Sequence, residues 1–246
     1  LFLSLARDLR VIIIKFADRL NNMETIQFLS SKKRKEIALE TKEIFVPLAH
    51  RLGMAKLKWK LEDLSLKCLD LRAFNSIKKK IETSTRLNED ILSNAIKPIK
   101  SELNSYKIKS NIFGRYKSIS SINRKIERSG KKFEEIYDLY AIRIVVDKIE
   151  ECYLALGVIH SIYPPLQDRF KDFIATPKTN GYQSIHTTVL TKDNRLTEFQ
   201  IRTKDMDNTA EVGVAAHWLY KGSEEIGEFD TQVSWLRDLL SMLNSD

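Results

Sequence analysis

Apolar residues recur at helical spacing through the first hundred positions and at strand spacing from about residue 106 onward, so two patterns follow one another along the chain. Leu9 to Phe28 is dense in apolar residues and holds no Gly or Pro, which predicts a first helix. Lys35 to His50 predicts a second, bent or broken at Pro47, and Lys56 to Phe74 a third. Asn88 to Lys107 predicts a fourth, interrupted near Pro98. Tyr106 to Phe113 then alternates as a strand does and ends at Gly114. Ser118 to Ser129 predicts a helix with Ile119, Ile122 and Ile126 on one face and Gly130 as its stop. Ala141 to Val146 is rich in β-branched residues and predicts a strand, and Cys152 to Tyr163 predicts a helix closed by Pro164-Pro165. Ser184 to Leu190 and Leu196 to Arg202 pair as a hairpin across Thr191 to Arg195. Met206 to Tyr220 and Gln232 to Leu243 are the last predicted helices. The pattern predicts a helical N-terminal half and an α/β C-terminal half.

Composition narrows the setting more than the chemistry. A chain of 246 residues holds one large or two small domains with proper cores. The net charge of +8 suits polyanions such as nucleotides or RNA, although lysine-rich solvated helices alone produce the same figure. The runs Lys32-Lys33-Arg34-Lys35 and Lys78-Lys79-Lys80 read as such solvated faces. The two cysteines, Cys68 and Cys152, form no CxxC pair, which argues against a disulfide framework or a cysteine zinc site and makes the cytoplasm the expected compartment. No apolar run approaches the ~20 residues of a membrane span, and Arg7, Asp8 and Arg10 break any signal-peptide pattern. The first residue is Leu1, so the chain is expected to be a piece of a longer protein.

The densest chemistry lies in Lys171 to Thr187. Asn180-Gly181 marks a turn at the mouth of a strand, and such loops carry binding groups. The lysines of this segment offer point charges to phosphate, and Tyr182 offers an exposed flat face to a base. Alternation along Leu196 to Arg202 puts Glu198, Gln200 and Arg202 on one face and Phe199 and Ile201 on the other. Glu198 then serves either as a Mg²⁺-holding carboxylate or as a solvent-facing partner of an arginine. Asp138, just ahead of a buried-looking strand, is either a second such carboxylate or a cap. Gly114-Arg115-Tyr116-Lys117-Ser118, between strand and helix, has the place of a phosphate cradle but not the spacing of a P-loop. In the helical half, Asp18, Asn22 and Thr25 share one helical face and either line a site or cap a buried network. The four histidines offer no metal-binding spacing.

Together these segments resemble the RelA/SpoT homologue family, the stringent-response enzymes that make and degrade guanosine tetra- and pentaphosphate. The resemblance spans essentially the whole chain. Its carriers are Ala17–Met23, Pro47–Gly53, Gly114–Ser118, Tyr137–Ile144, Arg169–Thr187, Glu198–Thr203 and Glu211–Trp218. It implies an α+β fold in which an all-helical part, a hydrolase remnant plus a helical linker bundle, precedes a nucleotidyltransferase-like mixed sheet flanked by helices. It implies a remnant of an HD hydrolase domain at 1–35, the linker at 36–75 and a synthetase domain at 76–246. The implied reaction moves a pyrophosphoryl group from ATP to the ribose 3′-oxygen of GDP or GTP. By resemblance Arg115, Lys117, Ser118 and Arg143 bind ATP, Asp138 and Glu198 hold Mg²⁺, and Glu198 is also the base toward the 3′-hydroxyl. Lys171, Lys178, Asn180, Tyr182, His186 and Gln200 are implied to bind the acceptor, with Tyr182 stacked on guanine. Asp18 matches the last ligand of the family's Mn²⁺ site, and Asn22 and Thr25 match nucleotide-contacting positions. The other ligands belong upstream, so the hydrolase is expected to be silent here and Mn²⁺ to concern the longer parent only. Arg169-Phe170-Lys171-Asp172 resembles the basic loop of bifunctional members. Regulators such as the ribosome are expected to act through domains outside this chain. Two rival readings remain at this level, a non-catalytic guanine-nucleotide sensor and an RNA- or ribosome-binding module.

Overall fold

The computed structural model describes residues 9–130, 133 and 139–213. The chain divides into two compact units, Leu1–Leu69 with Glu211–Asp246, and Asp70–Ala210.

In the first unit, helix α1 (Leu9–Glu24) buries Ile12, Phe16 and Met23, one stripe at helical spacing. A 3₁₀ turn (Ile26–Phe28) leads to α2 (Ser31–Glu40), whose Ser30 cap accepts the Lys33 N–H. The break considered at Pro47 does not occur, because the chain stays helical from Ser31 to Arg51. A π-helical turn (Thr41–Phe45), in which the Val46 N–H donates to the Thr41 carbonyl, accommodates Pro47 and passes directly into α3 (Val46–Arg51). Helix α4 (Ala55–Leu69) closes the unit around Ala38, Phe45, Val46, Ala49, Leu52 and Leu61. Arg19 lies 4.2 Å from the Phe45 ring centroid and pairs with Glu40 at 2.9 Å, tying α1 to α2.

The third predicted helix stops at Leu69, because the Asp70 carboxylate accepts the Ala73 N–H at 2.9 Å and caps a new helix. That helix, α5 (Leu71–Ser105), absorbs the predicted fourth one and runs through Pro98 without interruption. A mid-helix proline costs roughly 3 kcal/mol. Here Leu92, Ala95, Ile99 and Leu103, spaced three and four apart on the same helix, are buried in the main core and offset it. The strand predicted to begin at Tyr106 begins at Asn111 instead, because the helix ends in a Schellman motif. The Lys107 N–H donates to the Asn104 carbonyl, the Ile108 N–H donates to the Leu103 carbonyl, and Lys107 takes φ 59°. Leu103 and Ile108 are both buried beneath it.

Strands β1 (Asn111–Tyr116), β2 (Tyr140–Val146), β3 (Lys171–Asp172), β4 (Ile185–Leu190) and β5 (Leu196–Thr203) form one sheet in the order β1-β2-β5-β4-β3. Only β2 and β5 pair in parallel. The predicted β4–β5 hairpin is present, with Asn194 at φ 55° in its turn. Register sorts the side chains into rows. On one face Gly114, Ile142, Phe199 and Thr187 lie across from one another, as do Ile112, Ile144, Ile201 and Ile185. This apolar face packs on α5 and on α7 (Ile149–Ile162), whose Cys152, Ala155, Val158 and Ile159 are buried. The other face carries polar rows, described below. Helix α6 (Ile119–Ser129) ends at Gly130 (φ 64°) as predicted and sets Ile119, Ile122 and Ile126 against Ile77 and Ile81 of α5. Helix α8 (Lys204–Val212) follows β5 directly; the remainder of the helix predicted to Tyr220, and the one from Gln232, lie outside the described residues.

Lys107 is exposed and holds a left-handed backbone that glycine adopts freely. Lys107→Gly should therefore raise the unfolding free energy by about 0.5–1 kcal/mol. Urea unfolding checks this, and a destabilised variant would refute the capping account.

Candidate active site

The pleat gathers nearly all the polar candidates on one face. One row runs Arg115, Ala141, Glu198, Thr188 across β1, β2, β5 and β4. The next runs Phe113, Arg143, Gln200, His186, Lys171 across all five strands. Arg143 and Gln200, 57 positions apart, become neighbours only because β2 and β5 pair in parallel at the centre.

Glu198 is the hub of this face. Its Oε1 accepts from Gln200 Nε2 at 3.1 Å and lies 3.1 Å from His186 Nδ1, and its Oε2 lies 3.7 Å from Lys117 Nζ. A carboxylate only accepts, so His186 Nδ1 donates to it, and His186 Nε2 lies in hydrogen-bond reach of the Tyr182 hydroxyl at 2.7 Å. The result is a relay, Tyr182 to His186 to Glu198. Burial alone would raise the Glu198 pKa, but the His186 and Gln200 hydrogen bonds and the Lys117 charge outweigh it and bring it down to about 2. Glu198 is ionised at every physiological pH.

Tyr182 departs from expectation. It is half-buried rather than exposed, its hydroxyl is bonded, and burial pushes its pKa up. The reason is the loop around it. Asp172 Oδ1 accepts the N–H groups of Ile174 and Ala175, its Oδ2 accepts the Tyr153 hydroxyl, and the loop folds so that Phe173 packs edge-on against Tyr182 and His186. Asn180 Oδ1 accepts the Tyr182 N–H and Gly181 takes φ 76°, so the predicted Asn-Gly turn is present. Lys178 Nζ lies 4.4 Å from the Phe173 ring centroid and 5.0 Å from that of Tyr182, and Lys171 is exposed at the sheet edge.

The segment at 114–118 joins β1 to α6. Gly114 lies within β1, on the face opposite Arg115 and Lys117, and a Cβ there would stand 2.7 Å from Leu92 Cδ1. Ser118 Oγ caps α6 by accepting the Ser121 N–H. Arg143 is 4% exposed and bonds Asp207 at 3.1 Å, so it is held inside the sheet face rather than presented to solvent. In the helical unit Asp18 and Thr25 are exposed and Asn22 is half-buried, while the Thr25 hydroxyl donates to the Asn21 carbonyl. Asp138 lies outside the described residues, which end their gap one residue before β2.

Two features escaped the sequence reading. Ser121, Arg124, Lys125 and Arg128 recur at i, i+3, i+4 and i+7 and line an open recess of about 280 Å³ on α6. Their helical spacing, opposite the three isoleucines, was a legible signal for a basic face one turn beyond Lys117. Asp207, which meets both Arg143 and Arg202, had no such signal. Among the described residues no three His, Cys, Asp or Glu side chains group to hold a metal ion, and no helix is long and apolar enough to cross a membrane.

A family model described as a region found in RelA / SpoT proteins matches residues 114–225, and an HD domain model matches residues 1–55. A guanosine-3′,5′-bis(diphosphate) 3′-pyrophosphohydrolase of Spiroplasma citri is 46% identical over 225 residues, 91% of this chain and 30% of that protein. A bifunctional (p)ppGpp synthase/hydrolase RelA of Mycobacterium tuberculosis is 43% identical over 246 residues, 96% of this chain and 33% of that protein. The chain thus spans about a third of the length of these curated relatives. Among solved structures, the small alarmone synthetase 2 of Bacillus subtilis matches with a TM-score of 0.46 and 24% identity, covering 68% of this chain and 92% of that one.

The electrostatics of Glu198 make a pH prediction. Its folded-state pKa, about 2, lies below the ordinary 4.5, so its stabilising contribution is complete above the ordinary value and is lost as pH falls through the folded one. The difference in unfolding free energy between wild type and Glu198→Gln should narrow as pH is lowered from about 6 to about 3. A gap that stays constant over that range means the neighbours do not hold the carboxylate.

Proposed function

The chain belongs to the RelA/SpoT family, and from that premise we propose that it is a guanosine polyphosphate synthetase, transferring a pyrophosphoryl group from ATP to the 3′-oxygen of GDP or GTP. The observation that carries the reading is the ionised Glu198 on the polar face of the sheet, contacted by Lys117 on the β1 side and by the His186–Tyr182 relay on the β4 side. A cation and a stacking ring on either side of one carboxylate suit a donor polyphosphate and an acceptor base that meet over it.

Roles follow from position. Lys117 and Arg115, with the basic face of α6, receive the donor phosphates through charge-assisted bonds. Tyr182 stacks on guanine, and Lys178 and Lys171, exposed beside it, pair with the acceptor diphosphate. Gln200 and His186 orient the carboxylate, Asn180 shapes the loop, Ser118 anchors α6, and Arg143 stiffens the sheet under the site. In the reaction the 3′-oxygen bonds to the β-phosphorus of ATP, the bond from that phosphorus to the α-phosphate oxygen breaks, and AMP leaves. Glu198 takes the hydroxyl proton. A carboxylate held near pKa 2 is a weak base. As Lys117 turns from Glu198 to the donor phosphates, the carboxylate loses a neighbouring cation and its basicity rises, which couples donor binding to base strength.

Mg²⁺ fits this site on the chemistry of the donor set. It takes one or two protein carboxylates plus phosphate oxygens, and Glu198 offers an ionised carboxylate, with Asp138 as its proposed partner. When bound, the ion supplies neutralisation of the polyphosphate charge. The division into 1–35, 36–75 and 76–246, a bifunctional parent, Asp18, Asn22 and Thr25 as remnants of a Mn²⁺-dependent hydrolase, and a cytoplasmic setting belong to the same proposal. The HD domain match at residues 1–55 supports the hydrolase part.

Incubation of the chain with ATP, GDP and Mg²⁺, followed by nucleotide separation, should yield guanosine tetraphosphate and AMP in equal amounts; absence of both sinks the proposal. Glu198→Ala or Asp138→Ala should lower turnover at least ~10²-fold, the scale of one preorganised electrostatic group. Tyr182→Ala should raise the KM for GDP about 5- to 150-fold through lost stacking. Because its hydroxyl is bonded to His186, Tyr182→Phe should also cost about 2- to 13-fold in kcat/KM, the worth of one hydrogen bond. Normal kinetics for Tyr182→Ala would place the acceptor elsewhere.

A further inference from the structure

Strand β5 turns into α8 without a loop. The Thr203 hydroxyl accepts the Met206 N–H at 3.2 Å, so the helix starts at the strand's end and brings Asp207, in its first turn, to the polar side of the sheet. There one oxygen, Oδ1, stands 2.9 Å from Arg202 Nε and 3.1 Å from an Arg143 guanidinium nitrogen. The two arginine side chains are 1% and 4% exposed. Buried cations of this kind need an anion placed against them. Their shared partner joins β5, β2 and α8 at one point.

This point touches the ring assigned to the acceptor base. Arg202 Cζ lies 5.9 Å from the Tyr182 ring centroid, within the range of a cation–π contact. The other cation over that ring, Lys178, belongs to an exposed side chain, whereas the Arg202 guanidinium is buried and lies 2.9 Å from Asp207. Of the two cations, the buried one gives the ring the more fixed neighbour.

We infer that Asp207 is a positioning residue for acceptor recognition: by tying Arg202 it fixes the cation against Tyr182 and so the pose in which that ring receives guanine. The inference rests on the acceptor-site reading above. It goes beyond that reading in assigning specificity for the base to a helix that follows the sheet, through a residue that does not itself meet the nucleotide.

The test is a double-mutant cycle read by calorimetric binding of GDP to the whole chain, with ATP binding measured in parallel. Asp207→Asn keeps the shape and removes the charge. It should weaken GDP binding about 3- to 30-fold, the span of a cation–π contact, and leave ATP binding within about 2-fold. In the Tyr182→Ala background the same substitution should have no further effect on GDP. Should Asp207→Asn fail to fold, Asp207→Glu takes its place, since it retains the charge but shifts the guanidinium. Unchanged GDP affinity, equal losses for ATP and GDP, or an effect that adds in full to Tyr182→Ala would overturn the inference while leaving the acceptor site standing. Tyr182→Ala binding GDP as wild type does, or a wild type that does not bind GDP, would overturn the acceptor site and this inference with it.

Discussion

Burial of one face of the five-stranded sheet is the constraint on which the site depends. Helices α5 and α7 cover Ile142, Ile144, Phe199, Ile201, Ile185 and Val189, and those side chains leave no freedom of register. A slip of one residue in any strand would turn its apolar set to the polar side and its polar set into the core. Holding the apolar rows in place therefore aligns Arg115 with Glu198, and Arg143 with Gln200 and His186, with no contribution from the polar groups themselves. The site is assembled by hydrophobic packing on the face it does not occupy. The long α5 is part of that packing, which is why it tolerates Pro98.

On the polar face, charge is concentrated without being neutralised group by group. Glu198 answers to Lys117, His186 and Gln200, and Asp207 answers to Arg143 and Arg202. The two carboxylates sit in unlike company. Glu198 looks toward groups that are partly exposed and able to turn to a substrate, whereas Asp207 holds arginines that are sealed in. One carboxylate is placed to exchange partners during a reaction and the other to keep them, and Tyr182 stands between, hydrogen-bonded toward the first through His186 and stacked toward the second through Arg202.

Most of the secondary structure was legible in the sequence, and the misses share a cause. Local pattern located α6, β2, α7 and the β4–β5 hairpin to within a few residues, because each has its own punctuation in Gly130, Pro164-Pro165 or the turn before Leu196. It failed where tertiary contact or an unusual residue overrode punctuation. Pro98 did not break α5, Lys107 closed that helix in a position where glycine is the usual signal, and Asp70 cut a continuous apolar pattern with a cap. The exposure of Tyr182 was misjudged for a related reason: a turn residue is exposed by default, and only the folded loop shows Phe173 and His186 packed around its ring.

By itself the sequence determined the order of elements, the face on which Glu198, Gln200 and Arg202 lie, and the family, since ordered motifs and a period of two survive without any knowledge of the fold. The tertiary structure alone decided which of those residues meet. That Glu198 is ionised and contacted from both sides, that Arg143 points to Asp207 and not to solvent, and that Asp207 matters at all follow from strand order and parallel pairing. The physical reason is one of range. Propensity and alternation act over a few residues, whereas a pKa or an ion pair is set by neighbours within a few ångströms in space, and in this sheet those neighbours come from segments as far apart in the chain as Lys117 and Glu198.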